Sequence, residues 1–260
     1  MEIILDGRLK TESAVLALGM FDGVHLGHQV LLQKGRSLAD AARVPLVACT
    51  FVKHPLELIA PDKAPALLTT FEEKARLMEK AGVDHLFAQP FDSAMMNQLP
   101  ECYVGELVRR LHPTDVVCGY NHRFGKNGAG SPALLEVLGG ALGFRTAVVP
   151  KITYQGQDVS SSVIRELLAA GQVGLARRML GRPYHRQGTV AWRENGRTGL
   201  VMPPNGKQTL PPGRYRVLAE AGEKTFPAVL TICERGTGNI DLAADMPIRS
   251  AIGVEFVTEM

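Results

Sequence analysis

Residues 14–32 read AVLALGMFDGVHLGHQVLL. A short apolar run from Ala14 to Leu18 stops at Gly19. Phe21, Asp22 and Gly23 follow, then His25, Gly27 and His28, and a new apolar pattern begins. This is the pattern of a buried strand, a glycine-rich turn and the first turn of a helix. The amides at a helix N-terminus are unpaired and carry partial positive charge, so an anion is favoured there. Gly23 and Gly27 allow the backbone to approach a bulky ligand closely. His25 and His28, three apart, lie on one side of that turn. Imidazoles so placed can donate hydrogen bonds to phosphate oxygens and stabilise the charge of a phosphoryl transition state. A zinc site needs more ligands than these two, and the plainer alternative is a turn carrying two surface histidines.

Outward from this stretch, strands and helices alternate as far as Val149. VPLVACTF, VDHLFAQ, TDVVCGY and FRTAVVP read as strands. Helical patterns cover Gln29 to Ala42, TTFEEKARLMEKAG, Glu101 to Leu111 and SPALLEVLGGALG. Near-continuous apolar strands separated by helices imply a five-stranded parallel sheet covered on both faces, a Rossmann-like α/β fold. Ligands of such sheets bind beyond the carboxyl ends of the strands.

Two short helical stretches follow, Val163 to Ala170 and Val173 to Leu180. From GRPYHRQGTV onward short alternating runs (Gly188 to Trp192, Tyr215 to Ala219, Ala228 to Ile232, Ile252 to Val257) are separated by Gly, Pro and Asn. These read as a small β-barrel-like domain, with the boundary near Gly181: residues 1–181 and 182–260.

The 260 residues carry a net charge of +3 with 45% hydrophobic and 21% charged residues, which argues against a nucleic-acid binder. No apolar stretch approaches a membrane span, and MEIILDGRLK lacks the features of a signal peptide, so no membrane partner is expected. Cys49, Cys102, Cys118 and Cys233 are far apart and read as reduced, buried thiols of a cytoplasmic protein.

A second motif, DVSSSVIRELLAAG, puts Ser160 to Ser162 before a helix and Arg165 three residues after Ser162, where both can reach one anion. Taken alone it is equally an N-cap with a surface arginine. With HxGH it resembles the ISSTxxR-like phosphate motif of the nucleotidylyltransferase superfamily, with Val159 for Ile and Ser162 for Thr. A third stretch, VVCGYNHRFGKNGAGSPALL, resembles the GxNFxFGxxxxG segment of bacterial FAD synthetases, the FMN adenylyltransferase module usually fused to riboflavin kinase. TFVKHP, ALLTTFEEKARLMEKAGVDHLFAQPF and LLGRPY extend that resemblance over residues 13–184. His122 stands where the family commonly has Phe, and Lys53 where it has Pro.

The resemblance implies transfer of AMP from ATP to FMN, giving FAD and pyrophosphate. Its ATP site would comprise Gly19, Phe21, Asp22, Gly23, His25, His28, Ser160, Ser162 and Arg165. Its flavin site would comprise Phe51, His54, Pro55, Asn121 and Phe124. His28, Asn121 and Arg165 carry over as the catalytic set. Mg2+ would come with ATP, held by substrate oxygens and water rather than by protein ligands. An attacking phosphate is already anionic, so the reaction needs positioning and charge neutralisation rather than a strong base. Two other readings stay open: a non-catalytic flavin- or nucleotide-sensing module, and transfer to another phosphate acceptor.

The tail resembles a riboflavin kinase barrel in outline, through GRPYHRQGTV and LPPGRYRV. GRTGLVMPPN falls on the family's GRxLGFPTAN, keeping Gly196, Arg197 and Asn205 but placing Pro203 at the magnesium-binding Thr. Glu255, in the alternating run IGVEF, is expected to face solvent. Loss of kinase activity follows as an expectation, leaving a structural cap, a flavin-binding lid or a dimer contact as roles for the tail.

Overall fold

A computed structural model describes residues 1–194, 197–203, 205–233, 237–241 and 250–260; Gly196 lies outside them. The chain packs as two compact units, one of residues 1–65 and 69–156, the other of residues 66–68 and 157–260.

The first unit is built on six parallel strands, β1 (Glu2–Ile4), β2 (Ala14–Leu18), β3 (Leu46–Phe51), β4 (His85–Gln89), β5 (Pro113–Gly119) and β6 (Arg145–Val149). Their order is β1-β4-β3-β2-β5-β6. Helices α1 (Leu26–Ala42), α2 (Phe71–Lys80), α3 (Pro100–Leu111) and α4 (Pro132–Leu142) make the main crossovers. Every residue of β2 is buried, and successive residues feed opposite cores. Ala14, Leu16 and Leu18 pack with Cys49, Phe87, Val116, Tyr103 and Phe124. Val15 and Ala17 pack with Leu31, Leu32, Ala48, Met78 and Val117. Burial on both faces is why these strands read as apolar runs rather than alternations.

One strand more is present than the five read from sequence. β1 is three residues long, pairs with β4 through Glu2↔His85, Ile3↔Leu86 and Ile4↔Phe87, and buries only Ile4. A segment that short with one buried side chain carries no periodicity. α2 starts with a reciprocal cap: the Thr70 hydroxyl accepts from the Glu73 amide at 3.2 Å, and the Glu73 carboxylate accepts from the Thr70 amide at 2.9 Å.

In the second unit α5 (Ser161–Ala169) and α6 (Val173–Leu180) precede a closed antiparallel barrel. Its strands are β7 (Tyr184–Glu194), β8 (Arg197–Val201), β9 (Gly213–Ala221), β10 (Lys224–Ile232), β11 (Thr237–Asp241) and β12 (Ala251–Glu259), in the order β8-β11-β10-β9-β12-β7. Val190, Leu200, Val217, Leu230, Ile240, Val254 and Phe256 are buried in it. Glu255 lies between the inward-facing Val254 and Phe256 and is half-buried on the outer face. Packing divides the chain at Gly156–Gln157, ahead of the change of sequence texture near Gly181, because α6 packs on β12: the Gly174 amide donates to Glu259 Oε2 at 2.9 Å.

The expectation of four buried thiols is corrected for two of them. Cys49 and Cys118 are buried, and burial pushes their thiols up to about 12 and about 11. Cys102 and Cys233 are exposed, since Cys102 falls on the outer face of α3 and Cys233 follows the last residue of β10. Among the described residues no helix is long and apolar enough to cross a membrane.

Candidate active site

The strand order reverses at β2: the chain runs outward through β3 and β4 on one side and through β5 and β6 on the other. The crevice at such a switch point is where open α/β sheets bind ligands. The carboxyl ends of β2, β3 and β5, three adjacent strands, and the segments that follow them hold every candidate site residue of the first unit.

The β2–α1 turn is tightly wound. Phe21 adopts left-handed backbone (φ 53°), as do Gly23 (φ 78°) and Val24 (φ 37°). Phe21 and Val24 hold this costly geometry because both are buried, Phe21 completely. Gly19 makes room for Phe21: a Cβ on Gly19 would sit 3.2 Å from the Phe21 ring. Asp22 Oδ1 accepts from the Thr69 amide at 3.1 Å and the Thr69 hydroxyl at 3.4 Å, while that hydroxyl accepts from the Gly23 amide at 3.1 Å. Asp22 therefore pins the turn to the segment before α2.

His25 caps α1. Its Nδ1 accepts from the His28 amide at 3.4 Å, which places the ring proton on Nε2. The two imidazoles stack, with centroids 3.7 Å apart and planes 18° apart, and Phe21 meets His28 edge-on at 5.2 Å. His28 Nδ1 is buried without a hydrogen-bond partner. Burial, then the charges of His25 and Lys74, hold His28 well below the usual imidazole range, so the ring is neutral at pH 7.

Lys74 was not singled out from the sequence. It is a 6% exposed cation on α2 whose Nζ donates to the Phe51 carbonyl at 3.1 Å and to the Met20 carbonyl and Thr50 hydroxyl at 3.4 Å each. Burial lowers its ammonium to about 8, opposed by the charge of Asp22. The available signal was position: Lys74 lies three residues after Phe71 and one before Ala75, on the apolar side of an amphipathic helix.

After β5, Tyr120 continues the sheet by donating to the Val149 carbonyl, and Asn121 is exposed. Phe124 is buried against Tyr103, with centroids 5.9 Å apart. His122 stacks on Phe124 at 5.7 Å, and burial lowers its imidazole to about 4. It thus serves as a neutral aromatic ring, which accounts for its standing where Phe is common. Its acid linkage is testable. An imidazole that titrates at about 4 when folded and near 6.5 when unfolded takes up protons on unfolding in that interval, so stability is full above 6.5 and falls as pH drops towards 4. His122→Phe is expected to recover at most about 3 kcal/mol of that loss at pH 4.5 and little at pH 7.5, by urea denaturation at the two values.

At the end of β3, Phe51 packs edge-on to Phe91 at 5.1 Å. His54 Nδ1 accepts from the Leu56 amide at 3.2 Å, and the His54 amide donates to Glu57 at 3.1 Å, just ahead of the short helix that follows Pro55.

In the second unit Ser160 caps α5, accepting from the Val163 amide at 3.3 Å. Ser162 is exposed in the first turn, and Arg165 Nε donates to the Ala66 carbonyl at 2.7 Å. Among the described residues no group of three His, Cys, Asp or Glu side chains is placed to hold a metal.

A doubly wound sheet with a histidine-bearing turn at its switch point, followed by a closed barrel, defines a nucleotidyltransferase-type α/β protein with an appended β domain. A family model described as FAD synthetase matches residues 8–163. The bifunctional riboflavin kinase/FMN adenylyltransferase of Bacillus subtilis (strain 168) is 32% identical over 234 residues, 86% of this chain and 73% of the relative. That of Escherichia coli (strain K12) is 34% identical over 234 residues, 87% and 74%. This chain belongs to the FAD synthetase family. A crystal structure described as a macrolide-efflux protein from Streptococcus pneumoniae matches with a TM-score of 0.89 at 22% identity, covering 100% of this chain and 91% of that one, and shows the shared fold.

Proposed function

We propose that the protein transfers the adenylyl group of ATP to FMN, without phosphorylating riboflavin. An FMN phosphate oxygen bonds to the α-phosphorus of Mg·ATP, the bond to the bridging oxygen breaks, and pyrophosphate leaves with its electron pair. The observation that carries this reading is the stacked His25–His28 pair at the switch point, flanked by the segments after β3 and β5. His25, which caps α1 through Nδ1 and stacks on His28, meets the ATP phosphates at the start of that helix. His28 donates at the α-phosphate, where charge grows in the transition state. Gly19 and Phe21 shape the turn around ATP, and Asp22 and Gly23 hold it. Ser160, Ser162 and Arg165 take the pyrophosphate end at the N-terminus of α5. Phe51, His54, Pro55 and Phe124 line the flavin, and Asn121 orients the two substrates. The catalytic module spans 1–181, and 182–260 form the appended domain.

The barrel supports the absence of kinase activity. Arg186, 4% exposed, donates to the carbonyls of Pro203 at 2.6 Å, Gln208 at 2.8 Å and Met202 at 3.4 Å. The cavity it shares with Met202, Thr209, Leu210, Ile232 and Phe256 is about 10 Å³, at the lower limit for one water. Pro203 has no side-chain hydroxyl to offer a metal.

One assay tests both halves. The protein is incubated with Mg·ATP and either FMN or riboflavin, and the flavins are separated chromatographically. FAD from FMN, with no FMN from riboflavin, is expected. Folded protein that forms no FAD would favour a sensing module, and FMN formed from riboflavin would show a working kinase site in the tail.

A further inference from the structure

We propose that Lys74 is a positioning residue of the adenylyl-transfer site, a cation fixed beneath the β2–α1 turn that ties the ends of β2 and β3 together and adds to the field met by an incoming phosphate.

The geometry is that of a built device rather than a stray surface lysine. A fully ordered lysine loses substantial side-chain entropy, and burying its ammonium costs more still unless its donors are met. Here the ammonium has three acceptors, and they lie at the carboxyl ends of two adjacent strands: Met20 O just after β2, and Thr50 Oγ1 and Phe51 O at the end of β3. Thr50 also donates to the Met20 carbonyl at 3.1 Å, so a single carbonyl between Gly19 and Phe21 is held by both side chains. Phe51 and the turn at Phe21 thereby share one anchor. The Phe71 ring covers the ammonium from its own helix, with 5.4 Å from Nζ to the centroid.

The titratable groups facing this ammonium are Asp22 on the turn and His28 on α1, and His28 in turn faces His25. Asp22 partly balances the lysine but is bonded to Thr69, so the cation has no direct carboxylate contact among its hydrogen bonds. A positive charge offset only at a distance, under a turn that presents helix amides and two imidazoles, suits a polyanionic ligand. That charge adds to burial and to His25 in keeping a proton off His28.

This inference rests on the adenylyl-transfer reading, and two measurements separate their failures. The first is the pH dependence of kcat/KM for FAD formation, which reports free-enzyme groups. Wild type is expected to lose activity as pH rises through about 8, where Lys74 deprotonates. Lys74→Arg, which stays charged, is expected to keep its activity to at least pH 9, and Lys74→Met to fall tenfold to a hundredfold at pH 7.5 with no alkaline limb. The second needs no substrate: NMR titration of the His28 ring, assigned with His28→Gln, should move to higher pH in Lys74→Met. An inactive wild type would overturn the adenylyl-transfer reading while leaving the titration to judge Lys74. The proposal is overturned if Lys74→Arg retains the wild-type alkaline limb, if folded Lys74→Met stays within twofold of wild type, or if its His28 titrates as before. Should Lys74→Met fail to fold, the Lys74→Arg profile decides alone.

Discussion

Replacing His28 with alanine is expected to lower the rate of FAD formation about a hundredfold or more, with the protein still folded. Removing one preorganised donor to a developing oxyanion costs about 2.7–4 kcal/mol of transition-state stabilisation, which is that factor in rate. His28 suits the role because its ring is neutral, held in place by stacking on His25 and by the edge of Phe21, and carries a buried Nδ1 with no protein partner. A preset ring spends no orientational entropy when ATP arrives. Arg165→Ala should cost a similar factor through the pyrophosphate end. The check is steady-state FAD formation beside a thermal melt of each variant, and near-normal rates in both would refute the phosphate assignments.

Gly125→Ala should destabilise the first unit by about 3 kcal/mol and abolish flavin binding. Gly125 has φ 70° and ψ −178°, a region open to glycine alone. A Cβ there would lie 2.7 Å from Pro100 N, Cα and Cγ, against the backbone at the start of α3. Strain of about 1–3 kcal/mol adds to overpacking of a similar size, since Pro100 cannot rotate away. To escape, the segment has to shift, taking with it Phe124, packed on Tyr103, and Asn121 just upstream. Urea unfolding and fluorescence titration with FMN would measure both effects. A variant with wild-type stability would mean that the loop adapts without cost.

The elements that make the sheet were legible wherever one segment buried a whole face. Ala14–Leu18 and Leu46–Phe51 are apolar throughout because both sides are covered, and the turn between β2 and α1 was marked by its glycines and histidines. The elements missed are those whose side chains are mostly exposed or polar. β1 buries one residue of three, and β8 and β11, RTGLV and TGNID, have glycine where a strand pattern is expected. Their pairing depends on partners far away in sequence, which no local period records.

The same division runs through the site. Chemistry that one short segment can specify, such as HxGH before a helix or SSSxxR around a cap, is readable because spacing along a helix sets which side chains share a face. Position and charge state were decided only in three dimensions. His122 looked like a departure from its family, yet stacking on Phe124 and burial make it a neutral ring. Lys74 looked like one more charge in FEEKARLMEK, yet the packing of α2 turns it beneath the switch point against Met20, Thr50 and Phe51. A sequence lists which groups can ionise; the burial, partners and neighbouring charges that set whether they do come from segments brought together by folding.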